Sequence, residues 1–286
     1  MSDIKGVLIP IGGNEDKGLE ESENYTLDFI QDSILSRVVR EAGGVDANIV
    51  IIPTASSIPV EVADNYLSGF GKLGCTKLEI LDIRNRKQAE SDRSIKLLEE
   101  ANCVMFSGGD QSNIVKFIGE TKAHQILKER YLNESFVIAG TSAGAMCMSQ
   151  QMVAGGSVQD SLQKGAVKMR EGMGFVEHLV IDTHFIKRGR FGRLAEALAH
   201  HPYRLGLGLA EDTGIIIRKG NQCEVIGSGM VILFDPSKLD HNNIGTLPEG
   251  TPISMTNLVV HILAQDDQFT IDNRKITVSP FEVAQV

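Results

Sequence analysis

In the stretch VIAGTSAGAM, residues 137–146, a serine stands among residues with almost no side chain. Ser142 is flanked by Thr141 and Ala143 and bracketed by Gly140 and Gly144. Gly-x-Ser-x-Gly is the spacing of a nucleophile elbow, a sharp strand-to-helix turn that presents a serine hydroxyl. A phosphate-binding loop would carry a lysine here, and a plain turn needs one glycine. The same small residues also suit a helix packed closely on a sheet. The pentapeptide alone leaves both readings open.

A serine nucleophile needs a base to take its proton and a third group to orient that base. Of the seven histidines, His200 and His201 precede Pro202 at the end of a helical pattern. His124 lies in a helix of mixed polarity and His241 in a polar loop, while His178 and His261 suit ordinary core or surface positions. His184 differs, because it follows the strand-like run HLVIDT. The carboxyl ends of parallel strands are where α/β folds hold their ligands. Glu211 and Asp212, in GLGLAEDTG, follow another apolar run, and either can be the orienting acid. The order serine, histidine, acid departs from that of the α/β-hydrolases, where the acid precedes the histidine. MFSGGD places Gly108 and Gly109 after a further strand. A glycine N–H there, that of Gly109, together with that of Ala143 would form an oxyanion hole, whose donors are worth about 3–4 kcal/mol each.

Lys187, Arg188, Arg190 and Arg193 fall within seven residues of a chain whose net charge is −9. Arg190 and Arg193 share a helix face if a helix starts near Gly189. Cations are disfavoured at a helix N-terminus, so their concentration there suggests an anionic ligand. Arginine forks hold carboxylates bidentately.

The elements that must position these residues follow from apolar patterning. The runs GVLIPI, ANIVIIPT, KLEILDI, NCVMFSGG and FVIAGT have strand length. Between them, LDFIQDSILSRVVREAGG, PVEVADNYLSGFGKLG and QSNIVKFIGETKAHQILKERY have helical spacing. Continuous apolar strands alternating with amphipathic helices predict a parallel sheet covered on both faces. From about Gly206, GLGLAEDTGIIIRKGNQCEVIGSGMVILFDP reads as antiparallel hairpins. SKLDHNNIGTLPEGTPIS reads as a surface loop and NLVVHILAQDDQFTIDNRKITV as a final strand pair. The expectation is an α/β fold, a mostly parallel sheet sandwiched by helices with antiparallel C-terminal strands, and residues 1–286 forming a single catalytic domain.

Composition narrows the function. The chain of 286 residues is 42% hydrophobic and 23% charged, ordinary for a soluble globular protein. Its negative charge argues against general affinity for nucleic acid or an anionic membrane, and no apolar stretch approaches a membrane span. The N-terminal run lacks the features of a secretory signal, so a cytoplasmic setting is expected. Cys75, Cys103, Cys147 and Cys223 form no C-x-x-C pattern, which speaks against structural zinc and a disulfide framework. Cys103 and Cys147 fall in core-like runs. No metal and no cofactor is expected.

The motifs GGNEDK, IIPTAS, FSGGDQ, GTSAGA, IDTHFIKRGRFGRL, GLAEDT, VIGSGM and VVHIL, in this order from about residue 7 to 270, resemble those of the cyanophycinases. These are serine peptidases related to the aspartyl dipeptidase peptidase E and built on the class-I-glutaminase-like sandwich. The resemblance implies metal-free hydrolysis of cyanophycin, a poly-aspartate with arginine on each side-chain carboxyl, to β-Asp-Arg dipeptides by a homodimer. It implies Ser142 as nucleophile, His184 as base and Glu211 as the orienting acid. Gln111, Asp182, Arg188, Arg190 and Arg193 would line the substrate pocket with Thr183, which stands where the family carries glutamine. Glu15, Asp16, Asp110 and Asp182 are candidate partners for the substrate guanidinium. AGGSVQDSLQKGAVKMREG is a candidate border of the site. The competing readings are a dipeptidase of the peptidase E type and a non-catalytic binding protein on the same fold.

Overall fold

Successive apolar residues along each central strand point to opposite faces of the sheet, and both faces are covered. The computed structural model describes residues 4–19 and 25–279. Residues 1–3, 20–24 and 280–286 of the expected 1–286 unit lie outside the described residues. Strands β1 (Val7–Ile11), β2 (Ile49–Ile52), β3 (Leu78–Ile80), β4 (Cys103–Phe106) and β5 (Val137–Thr141) run parallel. Ile9, Ile51, Met105 and Ala139 pack with α1 (Ile34–Glu41) and α2 (Pro59–Lys72) on one face. Leu8, Val50, Val104 and Ile138 join a larger cluster on the other, with α3 (Arg86–Ala89), α4 (Asp92–Glu100), α5 (Gln111–Ile118), α6 (Lys122–Asn133) and the short α7 (Ala143–Met146). Burial on both faces is why β1, β2, β4 and β5 read as continuous apolar runs, while β3 at the sheet edge is only partly buried.

Local capping shortens two of the expected helices. Helix α1 begins only at Ile34, where the Ser33 hydroxyl accepts the Ser36 N–H. The stretch expected as one helix from Gln111 is two, because Gly119 ends α5 and Thr121 caps α6 by accepting the His124 N–H. Side-chain oxygens at such positions satisfy amides that have no partner inside the helix.

Beyond α7 the chain builds a second sheet. β6 (Gln151–Gly156) and β7 (Val167–Glu171) form an antiparallel hairpin. β8 (Leu179–Asp182) and β9 (Leu205–Leu209) are parallel neighbours joined through α8 (Phe191–His200). β10 (Thr213–Arg218) returns to the central sheet antiparallel to β1, and β11 (Gln222–Gly227) follows as a hairpin. β12 (Val231–Asp235) goes back to pair with β9. β13 (His241–Asn242), inside the expected surface loop, pairs with β14 (Met255–Thr256). The expected final strand pair is divided. β15 (Val259–Leu263) lies on β12, whereas β16 (Gln268–Thr270) lies on β11 and carries β17 (Ile276–Thr277). Leu263 and Phe269 are both buried, so each strand anchors in its own sheet.

The result is a nine-stranded sheet, β17-β16-β11-β10-β1-β5-β4-β2-β3, and a four-stranded sheet, β15-β12-β9-β8. This is the expected mostly parallel α/β arrangement with antiparallel strands from the C-terminal third. Buried side chains of both sheets belong to one cluster. Only Ala210–Asp212 separate β9 from β10, so the chain crosses between the sheets within three residues. Because Ile11 pairs with Gly214, that crossing lies at the carboxyl end of β1.

Around Ser142 the glycine bracket serves close packing of helix on sheet. A Cβ on Gly140 would stand 2.6 Å from the Gly144 carbonyl oxygen, and one on Gly144 would stand 2.5 Å from the Phe106 carbonyl oxygen. The glycines therefore let α7 pack onto β4 and β5 while Ser142 turns between them. Gly144→Ala is expected to destabilise the fold by about 1–3 kcal/mol, since a backbone carbonyl yields less readily than a side chain. Urea denaturation checks this, and an unchanged midpoint with unchanged slope contradicts it.

Candidate active site

Ser142 leaves β5 with φ 50° and ψ −109°, a conformation that costs a residue with a Cβ on the order of 1–3 kcal/mol. Its N–H donates to the Ile11 carbonyl at 2.9 Å. His184 stands two residues past β8, with φ 47°, and its N–H donates to the Gly12 carbonyl at 2.8 Å. His184 Nε2 lies 3.0 Å from Ser142 Oγ, and Nδ1 lies 2.7 Å from Glu211 Oε1. Glu211 stands two residues past β9, and its Oε2 accepts from Lys187 Nζ at 2.9 Å. An Nδ1–H donated to the carboxylate leaves the Nε2 lone pair facing the serine hydroxyl.

Glu211 rather than Asp212 faces the imidazole. Asp212 has φ 45°, and its carboxylate accepts from the Asp16 N–H at 3.1 Å and from the Ser228 hydroxyl. Burial pushes the His184 pKa below the ordinary imidazole value. The Glu211 hydrogen bond opposes that only in part, and Arg188 and Arg190 add to the fall. Burial pushes Glu211 up, but hydrogen bonds from His184 and Lys187 outweigh it and hold the carboxyl below the usual range. At neutral pH the pair is thus a neutral imidazole beside a carboxylate.

Gly108 lies against Ser142, since a Cβ there would be 3.4 Å from Ser142 Cβ. Gly109 is exposed, and its N–H meets no protein acceptor among the described residues. Ala143 opens α7, so its N–H has no partner within the helix.

The basic run divides. Asp182, Arg190 and Arg193, expected at the substrate, are turned on one another inside the protein. Asp182 is fully buried and the two arginines are 8% and 5% exposed. Arg193 grips Asp182 with both Nε, at 2.8 Å, and Nη2. Arg190 Nη1 donates to Asp182 Oδ1 at 3.1 Å and to the Thr183 carbonyl at 2.6 Å. Burial lowers the Arg190 pKa to about 10, with Asp182 opposing and Arg193 and Arg188 assisting, so it remains a cation. Two guanidinium groups share one carboxylate, and the excess charge stays local. The Thr183 hydroxyl and Arg190 Nε are buried without partners among the described residues. Arg188 is exposed, and Lys187 is tied to Glu211.

The other expected positions scatter. Gln111 Nε2 donates to the Val153 carbonyl at 2.8 Å. Asp110 is exposed and caps α5. Asp16 is buried and accepts the Gly18 N–H at 2.7 Å. Glu15, expected as a guanidinium partner, is buried and accepts from Thr141 Oγ1 at 2.6 Å. The segment after α7 forms β6, β7 and their connection. Its Ser161 lies against Gly192 at the start of α8, where a Cβ would come within 2.4 Å of the serine oxygen. The carbonyls of Gly12 and Gly13 escape the sequence reading, although paired glycines after a strand are a visible signal. Gly13 has φ 104°, and a Cβ there would stand 2.4 Å from His184 Cε1. Among the described residues no cluster of three or more His, Cys, Asp or Glu could hold a metal ion. Among them, too, no helix is long and apolar enough to cross a membrane.

The model of peptidase family S51 matches residues 22–225. Relatives named cyanophycinase share 36% identity from Trichormus variabilis, covering 95% of this chain and 88% of the relative, and 35% from Geminocystis herdmanii, covering 95% of both. A solved structure of a peptidase from an acI-B1 Actinobacterium matches with TM-score 0.62 at 20% identity, over 91% of this chain and 99% of that one. That likeness concerns the fold.

Two outcomes follow from the site's electrostatics. In an NMR titration His184 is expected to lose its proton below the ordinary value of about 6.5. Glu211→Gln should lower that midpoint further and Arg188→Gln should raise it, and shifts of the opposite sign contradict the assignment. Asp182→Asn strands two buried cations and is expected to cost about 3–5 kcal/mol of stability, read by urea unfolding, whereas Arg188→Ala should leave the midpoint unchanged. Equal effects of the two would mean that Asp182 is not the internal counter-charge.

Proposed function

This chain belongs to peptidase family S51 and is a serine-type peptidase, and on that premise we propose that it hydrolyses cyanophycin to β-Asp-Arg dipeptides through an acyl-enzyme on Ser142. The observation that carries the proposal is the unbroken hydrogen-bonded chain from Ser142 Oγ through His184 to Glu211, at 3.0 and 2.7 Å. The substrate comes from the names of the relatives and from the charges around the site.

In this mechanism Ser142 Oγ attacks the carbonyl carbon of a backbone peptide bond as His184 Nε2 takes the hydroxyl proton. Glu211 stabilises the imidazolium that forms and keeps it oriented. The oxyanion is held by the N–H groups of Gly109 and Ala143, each worth about 3–4 kcal/mol when aimed at the developing charge. The C–N bond breaks as His184 returns its proton to the leaving amine. Water, activated by the same imidazole, then cleaves the ester and regenerates the serine.

Each cyanophycin unit brings a carboxylate and a guanidinium. Arg188 offers an exposed cation for the carboxylate, backed by the unneutralised charge of the Asp182–Arg190–Arg193 group. Asp110 and the Gln111 carbonyl oxygen are the acceptors proposed for the guanidinium. Arg190 and Arg193 contribute by charge and by fixing the strand end that carries His184, rather than by gripping the substrate. The proposal treats residues 1–286 as one catalytic domain, supported by the core shared between the two sheets. It includes a homodimer, from the resemblance, and a cytoplasmic setting.

The test is incubation of purified enzyme with cyanophycin granules and identification of the soluble product by mass spectrometry. β-Asp-Arg is expected, with poly-α-aspartate a far poorer substrate. Ser142→Ala should lower turnover by about 10⁶, the scale seen when a triad loses its nucleophile. A variant retaining several per cent of the activity, or equal rates on the two polymers, contradicts the proposal.

A further inference from the structure

Glu15 is an acid with almost no contact with solvent, at 1% exposure. A carboxylate in such a place is costly unless its oxygens are met by donors. Here Oε2 accepts the Thr141 hydroxyl at 2.6 Å, while Oε1 accepts the Tyr66 hydroxyl and lies 3.1 Å from Lys17 Nζ. Burial pushes its pKa up, but Lys17, Thr141 and Tyr66 outweigh that and keep the group ionised.

Thr141 is the last residue of β5, and the next is Ser142 with φ 50°. A residue persists in that region only where its surroundings over-determine it. Two restraints converge on this turn from one short segment. The Ile11 carbonyl takes the Ser142 N–H, and four residues later Glu15 takes the Thr141 side chain. Between them, Gly12 and Gly13 accept the N–H groups of His184 and Asp212. A loosened Thr141 would let the serine oxygen drift from the imidazole while leaving the exposed substrate contacts in place.

We propose that Glu15 is a positioning residue for the nucleophile, holding the Thr141 hydroxyl so that Ser142 Oγ stays on His184 Nε2. It touches no reacting atom and acts through Thr141. The proposal rests on the reading of Ser142 as nucleophile, and its test separates the two.

The full-length enzyme and its Thr141→Val, Thr141→Ser and Glu15→Gln variants are reacted with an alkyl fluorophosphonate. The labelled residue is identified by peptide mass spectrometry, and KM for the polymer and the melting temperature are recorded alongside. Labelling is run well below each variant's melting temperature, where the folded fraction is close to one and does not scale the second-order constant. Thr141→Val and Glu15→Gln are each expected to slow labelling of Ser142 about 10- to 100-fold, the scale of a displacement within 1 Å, with KM unchanged. Thr141→Ser, which keeps the hydroxyl, should restore the rate. The double variant should be no slower than either single one, because both break the same link. Wild-type labelling on Ser142 with an equal rate in Thr141→Val overturns the proposal and spares the nucleophile assignment. Equal slowing by Thr141→Ser also overturns it, since the methyl group would then be what matters. If Thr141→Val does not fold, Glu15→Gln decides on the same criterion; if neither folds, Glu15 serves the fold and the proposal falls. Failure to label Ser142 in the wild type overturns both readings.

Discussion

Three successive carbonyl groups, those of Ile11, Gly12 and Gly13, accept the N–H groups of Ser142, His184 and Asp212 at 2.9, 2.8 and 2.9 Å. Ser142 belongs to the central sheet and His184 to the second, while Asp212 lies in the crossing between them. The carboxyl end of β1 is therefore the point at which the two sheets are registered against each other. Were it displaced, each sheet could keep its own ladder while the hydrogen-bonded chain from serine to histidine to glutamate came apart. The requirement for glycine at position 13 has the same origin, since any side chain there would occupy the space of the imidazole.

The site concentrates strain and charge. Ser142, His184 and Asp212 have φ values of 50°, 47° and 45°, each in a region that residues with a Cβ seldom adopt. Such conformations cluster where surrounding structure holds functional groups in place, and here the restraints are the three carbonyls and the buried acids behind them. Charge is arranged in two tiers. Asp182 gathers Arg190 and Arg193 beneath the strand end that carries His184. Glu211 and Lys187 flank the imidazole nearer the surface. Burial, with Arg188 and Arg190 assisting, favours a neutral His184, as the proposed general base must be, and the second tier supplies the negative group that an imidazolium would need during reaction.

Much of this was legible in the sequence, and what was not has physical reasons. The parallel strands were readable because burial on both faces makes them uninterrupted apolar runs. The tight strand-to-helix packing at Ser142 was readable because it demands small residues on either side. His184 stood out by its place after a strand. The choice between Glu211 and Asp212 was not readable from pattern, because adjacent residues past the same strand differ only in the direction the turn gives them. The arginines were visible as a cluster, but their direction was set by a buried aspartate whose burial depends on tertiary packing. Glu15 was visible only as one acid among several near a glycine pair, and its partner Thr141 lies 126 residues away. The division of the last strands between two sheets was hidden for a related reason, as Leu263 and Phe269 show apolar anchors without showing which sheet receives their strands.

The central claim is that these restraints assemble a serine that takes a covalent acyl group from the polymer. Rapid acid quench during the first turnovers on cyanophycin, followed by peptide mass spectrometry, tests it most directly. The account predicts an ester on Ser142 whose added mass corresponds to whole β-Asp-Arg units, appearing as a burst before steady state. Product formation with Ser142 unmodified at every quench time, together with an ester on another residue, would contradict it.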